Sequence, residues 1–171
     1  MSIVSTLEDV PEAGARRSLL WRRVGVVVLT LLVVGGLFGF FGDRLGVVEG
    51  DSGESIHLAV TYPSVTRPGQ DVEFEIEVSD PAGLDPEVTL AINPEYLGLY
   101  ETQGWYPEPS DQSRDGEWLY MTFATEGRTT MVIGFDAYIQ PDQVRGREGR
   151  VAVVEDDVPG RPVTFKTTLF P

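Results

Sequence analysis

The sequence predicts an all-β fold, an antiparallel sandwich of seven strands preceded by one apolar α-helix. Three observations carry that expectation. Apolar and polar residues alternate over several stretches beyond residue 55, Pro- and Gly-containing turn sequences separate those stretches, and residues 24–42 contain no charge. Alternation with period two puts one face of a strand in a core and the other in water, whereas a helix would scatter the same residues round its axis. The chain of 171 residues has no cysteine, so disulfide staples, thiol redox chemistry and thiolate metal ligands do not enter.

The first element is the apolar one. WRRVGVVVLTLLVVGGLFGFFGDR (21–44) holds an uncharged run of about 19 residues, roughly 28 Å as a helix and close to the thickness of bilayer hydrocarbon. The following GLFGFFGDRLGVVEG (36–50) has no A-x-A-like pair, which favours an uncleaved anchor over a removed signal. Arg16-Arg17 before Ser18-Leu19-Leu20 partly matches a twin-arginine export signal, and Arg22-Arg23 interrupts the match. Arg16, Arg17, Arg22 and Arg23 crowd one flank and Arg44 stands on the other, so the amino terminus is expected in the cytoplasm and the carboxy-terminal domain outside the plasma membrane. Gly35, Gly39, Gly42 and Gly46 follow an i, i+4, i+7, i+11 spacing on one helix face, where small residues let another helix approach. Glycine is also simply common in membrane helices, and both readings stand.

Four segments result: a short disordered cytoplasmic tail (1–20), a transmembrane helix (21–42), a flexible linker (43–55) and an extracytoplasmic β-sandwich (56–171). Residues 51–171 carry 22 Asp and Glu against 8 Lys and Arg, a surface that repels phosphate and argues against nucleic acid as a partner.

Seven strands are read in order. They are HLAVTYP (57–63), DVEFEIEVSD (71–80), EVTLAIN (87–93), EWLYMTFAT (117–125), TTMVIGFDAYIQ (129–140), RVAVVED (150–156) and PVTFKTTLF (162–170). TRPGQ, DPAGLDP, EGR, GREG and VPGRP punctuate them with the fixed or positive φ that tight reversals need. Seven short strands with regular turn signals predict an immunoglobulin-like sandwich. The opening VTYPSVTRPGQDVEFEIEVSDPAG resembles the start of bacterial immunoglobulin-like adhesion-type modules, over the first two strands only. With its Arg-flanked anchor and small acidic domain, the whole chain resembles uncharacterised single-pass envelope proteins of high-GC bacteria. That resemblance implies a location and no activity.

PEYLGLYETQGWYPEPSDQSRDG (94–116) is longer than a hairpin connection should be. Pro94 followed by Tyr96, Leu97 and Tyr100 predicts a short helix that Gly104 ends. Tyr96, Tyr100, Trp105 and Tyr106 either cap one end of the sandwich or form a recognition surface. Arg145, Arg147 and Arg150, in RGREGR, form a basic knot that either offsets neighbouring glutamates or contacts anionic lipid or an acidic subunit. The Glu73, Glu75, Glu77 stripe is a solvated face or a docking surface for a basic partner.

No catalytic arrangement is expected. His57 is the only histidine and falls at the start of a strand, and Lys166 is the only lysine, flanked by Thr164 and Thr168 on another. Asp111, Asp115 and Glu117, and Glu155, Asp156 and Asp157, put carboxylates on loops without the spacing of a defined calcium loop, so no metal or other cofactor is assigned. Two functions are carried forward. One is a non-catalytic accessory protein that partners an integral-membrane protein, or its own copy, through the helix. The other is a ligand-binding module for cell-wall glycan or a cation, acting through the 94–116 loop.

Overall fold

The computed structural model describes residues 12–37, 42–52 and 55–170. The chain divides into two compact units, Met1–Gly42 and Asp43–Pro171. In the first, helix α1 runs over Glu12–Leu37. Its Ser18–Leu37 portion is apolar and long enough to cross a membrane, a property it shares with signal sequences, and none of it is buried inside the structure. The helix starts nine residues before the expected boundary at Trp21, because EAGARRSLL is made largely of good helix formers.

The second unit is a β-sandwich. Its strands are β1 (Arg44–Asp51), β2 (His57–Thr66), β3 (Asp71–Ser79), β4 (Glu87–Ile92), β5 (Tyr100–Tyr106), β6 (Asp111–Arg114), β7 (Leu119–Ala124), β8 (Thr130–Ile139), β9 (Glu148–Glu155), β10 (Val158–Pro159), β11 (Val163–Lys166) and β12 (Thr168–Leu169), with the single-turn helix α2 (Pro94–Leu97) before β5. One sheet has the order β1-β2-β3-β8-β5 with β12 beside β2; the other has β10-β9-β4-β7-β6 with β11 beside β9. Each of the seven predicted stretches forms strand, and β1, β5, β6 and β10 are additional to them.

Two of those additions correct the sequence reading. The stretch expected as a flexible linker is β1, paired along its length with β2. Its glycines signalled flexibility, yet a Cβ on Gly46 would lie 2.8 Å from the Tyr62 ring and one on Gly50 3.1 Å from Val163, so both admit neighbours. The predicted helix in 94–116 is one turn, closed where the Gly98 N–H reaches the Pro94 carbonyl. Gly104 lies instead within β5, at φ +146°, in the irregularity between Thr102 and Trp105.

β2 pairs with β3 over His57–Thr61 and then runs parallel to β12 at Val65 and Thr66. Because β11 belongs to the other sheet, the chain crosses between layers at the buried Thr167, whose N–H bonds to the Arg147 carbonyl. The core centres on Phe74, with the rings of Tyr96, Tyr100, Trp105, Phe135 and Phe165 at 5.6–6.3 Å between centroids. Aromatic pairs at this separation add packing specificity to the area they bury.

Candidate functional site

One concavity that joins predicted site residues lies at the first sheet, between β3, β8 and β5. In β3, Phe74 and Ile76 point into the core, so Glu73, Glu75 and Glu77 point out. β8 follows the same alternation, with Phe135 inward and Asp136 outward. Register then builds the site. Glu73 is opposite Asp136, and Glu75 is opposite Gly134, which is itself opposite Tyr106 of β5. Gly134 has no side chain, so a gap separates the Glu75 carboxylate from the Tyr106 ring. Strands two apart lie roughly 10 Å from one another.

The β5 irregularity decides which aromatic faces which way. Trp105 turns inward, its ring 4.6 Å from that of Phe135, while Tyr106 projects outward and is 84% exposed. The result is an open groove of about 430 Å³ lined by Glu73, Glu75, Gly134, Asp136 and Tyr106, to which the core-packed Phe74, Trp105 and Phe135 also contribute. Like charges directly opposite in a sheet are destabilising. Among the described residues no ion pair involves Glu73, Glu75, Glu77 or Asp136. An acidic rim beside an exposed tyrosine face suits an ammonium or guanidinium group, which gains both Coulomb attraction and a cation–π contact.

The other predicted residues lie elsewhere. Tyr96 and Tyr100 are buried in the core, where the Tyr100 hydroxyl donates to that of Tyr96, so neither presents a recognition surface. Arg147 donates to the Glu95 carbonyl at 2.6 Å and secures α2. Arg150 pairs with Glu117 at 3.1 Å and lies 4.8 Å over the Trp118 ring. Arg145, the most exposed of the three, and Arg147 line one concavity together with Glu95, Asp142 and Glu148, so acidic groups lie beside these arginines. Gly35 is in α1, Gly39 lies outside the described residues, Gly42 falls beyond the helix, and Gly46 is in β1, so the last two do not continue a helical stripe.

His57 faces carboxylates rather than a nucleophile, with Nδ1 at 3.2 Å from Asp51 and Nε2 at 3.9 Å from Glu49. Asp115 spends its oxygens on its own turn. It accepts the N–H groups of Glu117 and Trp118 and the hydroxyl of Tyr120, and these bonds hold its carboxyl below the usual range, the Trp118 N–H first among them. Asp156 and Asp157 form the β9–β10 turn with positive φ. Among the described residues no group of three or more His, Asp or Glu is placed to hold a metal ion.

Asp136 and Gly134 were not singled out by sequence. The available signal was a glycine in the middle of TTMVIGFDAYIQ, since an interior strand glycine often marks a close approach or a gap. No protein-family model matches the chain, and no curated protein sequence matches it.

Proposed function

We propose that this is a membrane-anchored, non-catalytic interaction protein. In this reading α1 spans the plasma membrane with its arginine-rich flank in the cytoplasm, and the sandwich stands outside as an accessory module to an integral-membrane partner. The observation that carries it is the groove in which Tyr106 faces Glu75 across Gly134, with acidic groups that have no ion-pair partner among the described residues. A lysine or arginine side chain of the partner fits that chemistry.

An immunoglobulin-like classification of the sandwich belongs to the same proposal. It is supported by the order β2-β3-β8-β5 in one layer and β11-β9-β4 in the other, the arrangement of the four- and three-stranded sheets of such domains. The early entry of β5, before β6 and β7 form, departs from that connectivity.

Capture of the tagged full-length protein from mild detergent tests the function, using the wild type, Glu75→Gln/Tyr106→Ala and Gly35→Leu/Gly39→Leu. An integral-membrane protein retained by the wild type and lost from the groove variant supports the accessory role; loss from the helix variant as well adds a packing face on α1. Retention undiminished by the groove variant removes the groove from the reading. If only cell-wall glycan is retained, the ligand-binding alternative replaces it.

A further inference from the structure

β1 and β5 are the two edges of the first sheet, and they end it differently. The run of β5 is broken by the irregularity between Thr102 and Trp105, and Pro107 and Pro109 follow it. The outer strands of the other sheet, β6, β10 and β11, are two to four residues long. β1 has none of these interruptions. From Leu45 to Asp51 it keeps an unbroken register with β2, contains no proline, and pairs with no other strand among the described residues. Every second residue of an antiparallel strand turns its N–H and C=O away from its partner, so this edge presents a row of backbone donors and acceptors.

A concavity accompanies the edge. Between β1 and β11 lies a cleft of about 350 Å³, lined by Val48, Gly50, Pro162 and Val163, with Glu49 and Asp51 on the β1 side and Arg161 on the other. Gly46, Val48 and Gly50 alternate inward, while Leu45, Val47, Glu49 and Asp51 are exposed on the outer face. The outer four divide into an apolar pair and an acidic pair. Among the described residues His57 is the cation within ion-pair distance of Glu49 and Asp51, and Glu75 and Glu77 stand two strands behind, on β3. Negative charge therefore outweighs positive at the Glu49–Asp51 end, with His57 and Arg161 counted.

We propose that β1 receives an extended segment of another polypeptide as an added antiparallel strand, with apolar residues beside Leu45 and Val47 and basic residues beside Glu49 and Asp51. The ladder of backbone hydrogen bonds supplies affinity, and the side chains at alternate positions select the segment. Intervening side chains face the cleft and must be small to lie against Val48 and Val163. A lysine or arginine is attracted to the acidic pair and an acidic residue repelled, which sets the register of the incoming strand. β1 and β5 lie at opposite ends of the sheet, so this contact depends neither on the groove at Tyr106 nor on where α1 resides.

The probe is a fluorescein-labelled peptide, Lys-Thr-Lys-Thr-Val-Thr-Leu, read by anisotropy against the full-length protein in detergent micelles. In the antiparallel sense its lysines fall beside Asp51 and Glu49, and its valine and leucine beside Val47 and Leu45. The expected result is saturable binding that weakens several-fold when both lysines are replaced by glutamate and disappears when every backbone nitrogen is methylated. Glu49→Lys/Asp51→Lys should invert the preference, so that the glutamate peptide binds more tightly than the lysine peptide, an outcome that misfolding does not produce. No binding to the wild type, or equal binding of the methylated peptide, overturns the added strand. Lysine-peptide binding undiminished by Glu49→Lys/Asp51→Lys overturns it as well. Loss of binding in Glu75→Gln/Tyr106→Ala would assign the peptide to the groove, overturning the edge contact while supporting the groove.

Discussion

The Tyr100 hydroxyl donates to the Tyr96 hydroxyl at 2.7 Å, and Tyr96 in turn lies 2.9 Å from Thr167 Oγ1, all inside the core. This chain of three hydroxyls links α2, β5 and the point where the last strand crosses between sheets. Burial pushes the Tyr96 phenol up to about 12 and raises that of Tyr100 as well, so both remain neutral donors at ordinary pH.

Removing the middle member should cost most. Tyr96→Phe leaves the Tyr100 hydroxyl without its acceptor in a buried site, and we expect a loss of about 1–3 kcal/mol. The double variant with Tyr100→Phe should cost less than the sum of the singles, because it removes the stranded donor too. Urea denaturation of all three variants measures the coupling. Additive losses would show that the hydroxyls act independently.

Two glycines near the crossing admit no side chain. An added Cβ at Gly149 would clash with the Phe165 ring, and at Gly146 it would meet the Thr167 carbonyl, which is backbone and has little room to yield. Overpacking of this sort costs roughly 1–3 kcal/mol and sometimes more, so Gly146→Ala and Gly149→Ala should both lower the melting temperature by several degrees. Gly116→Ala, with nothing within 4 Å of its Cβ position, serves as the control and should melt like the wild type.

The three arginines of RGREGR should separate in their effects. Arg150→Ala removes both the stacking on Trp118 and the Glu117 pair, for an expected loss of about 1 kcal/mol given that the guanidinium is partly exposed. Arg145→Ala should leave stability unchanged. Equal losses at both positions, read from thermal melts, would contradict the stabilising role given to the Arg150 contacts.

Acid should act through two loop carboxylates. Ser55 Oγ and the Ala82 N–H both donate to Asp80, and the serine bond is the larger cause of its lowered pKa; Asp115 is lowered by the bonds of its own turn. A carboxyl depressed in the fold stabilises it above the unfolded pKa near 3.9, and that contribution disappears as pH falls through the folded value. The stability difference between the wild type and Asp80→Asn or Asp115→Asn should therefore be full at pH 6 and shrink below about pH 4. Denaturant midpoints at several pH values provide the check, and a difference constant down to pH 2 would refute the linkage.

Much of the architecture is legible in short-range pattern. DVEFEIEVSD could only bury Phe74, Ile76 and Val78 together by being a strand, and the uncharged run from Val24 as far as Leu37 is the apolar helix its composition predicts. RLGVVEGD was opaque because its glycines carry the signal of a flexible chain, and only pairing with β2 under the Tyr62 ring gives them a different use. Tyr96 and Tyr100 look like interface residues because tyrosine suits both a surface and a satisfied core, and a one-dimensional pattern does not say where the hydroxyl finds its partner.

What the sequence by itself determined is therefore what depends on local period and composition: the β class of residues 57–170, the apolar helix, the acidic balance, and the absence of cysteine chemistry. Tertiary structure alone decided which residues meet. The Tyr96–Tyr100–Thr167 chain, the Arg150–Trp118 contact and the groove between Glu75 and Tyr106 each join positions far apart in the chain, or fix the orientation of near ones. Strand register sets those meetings. A shift of one residue would turn every side chain to the other face, and register is fixed by the packing of the whole core rather than by any one strand.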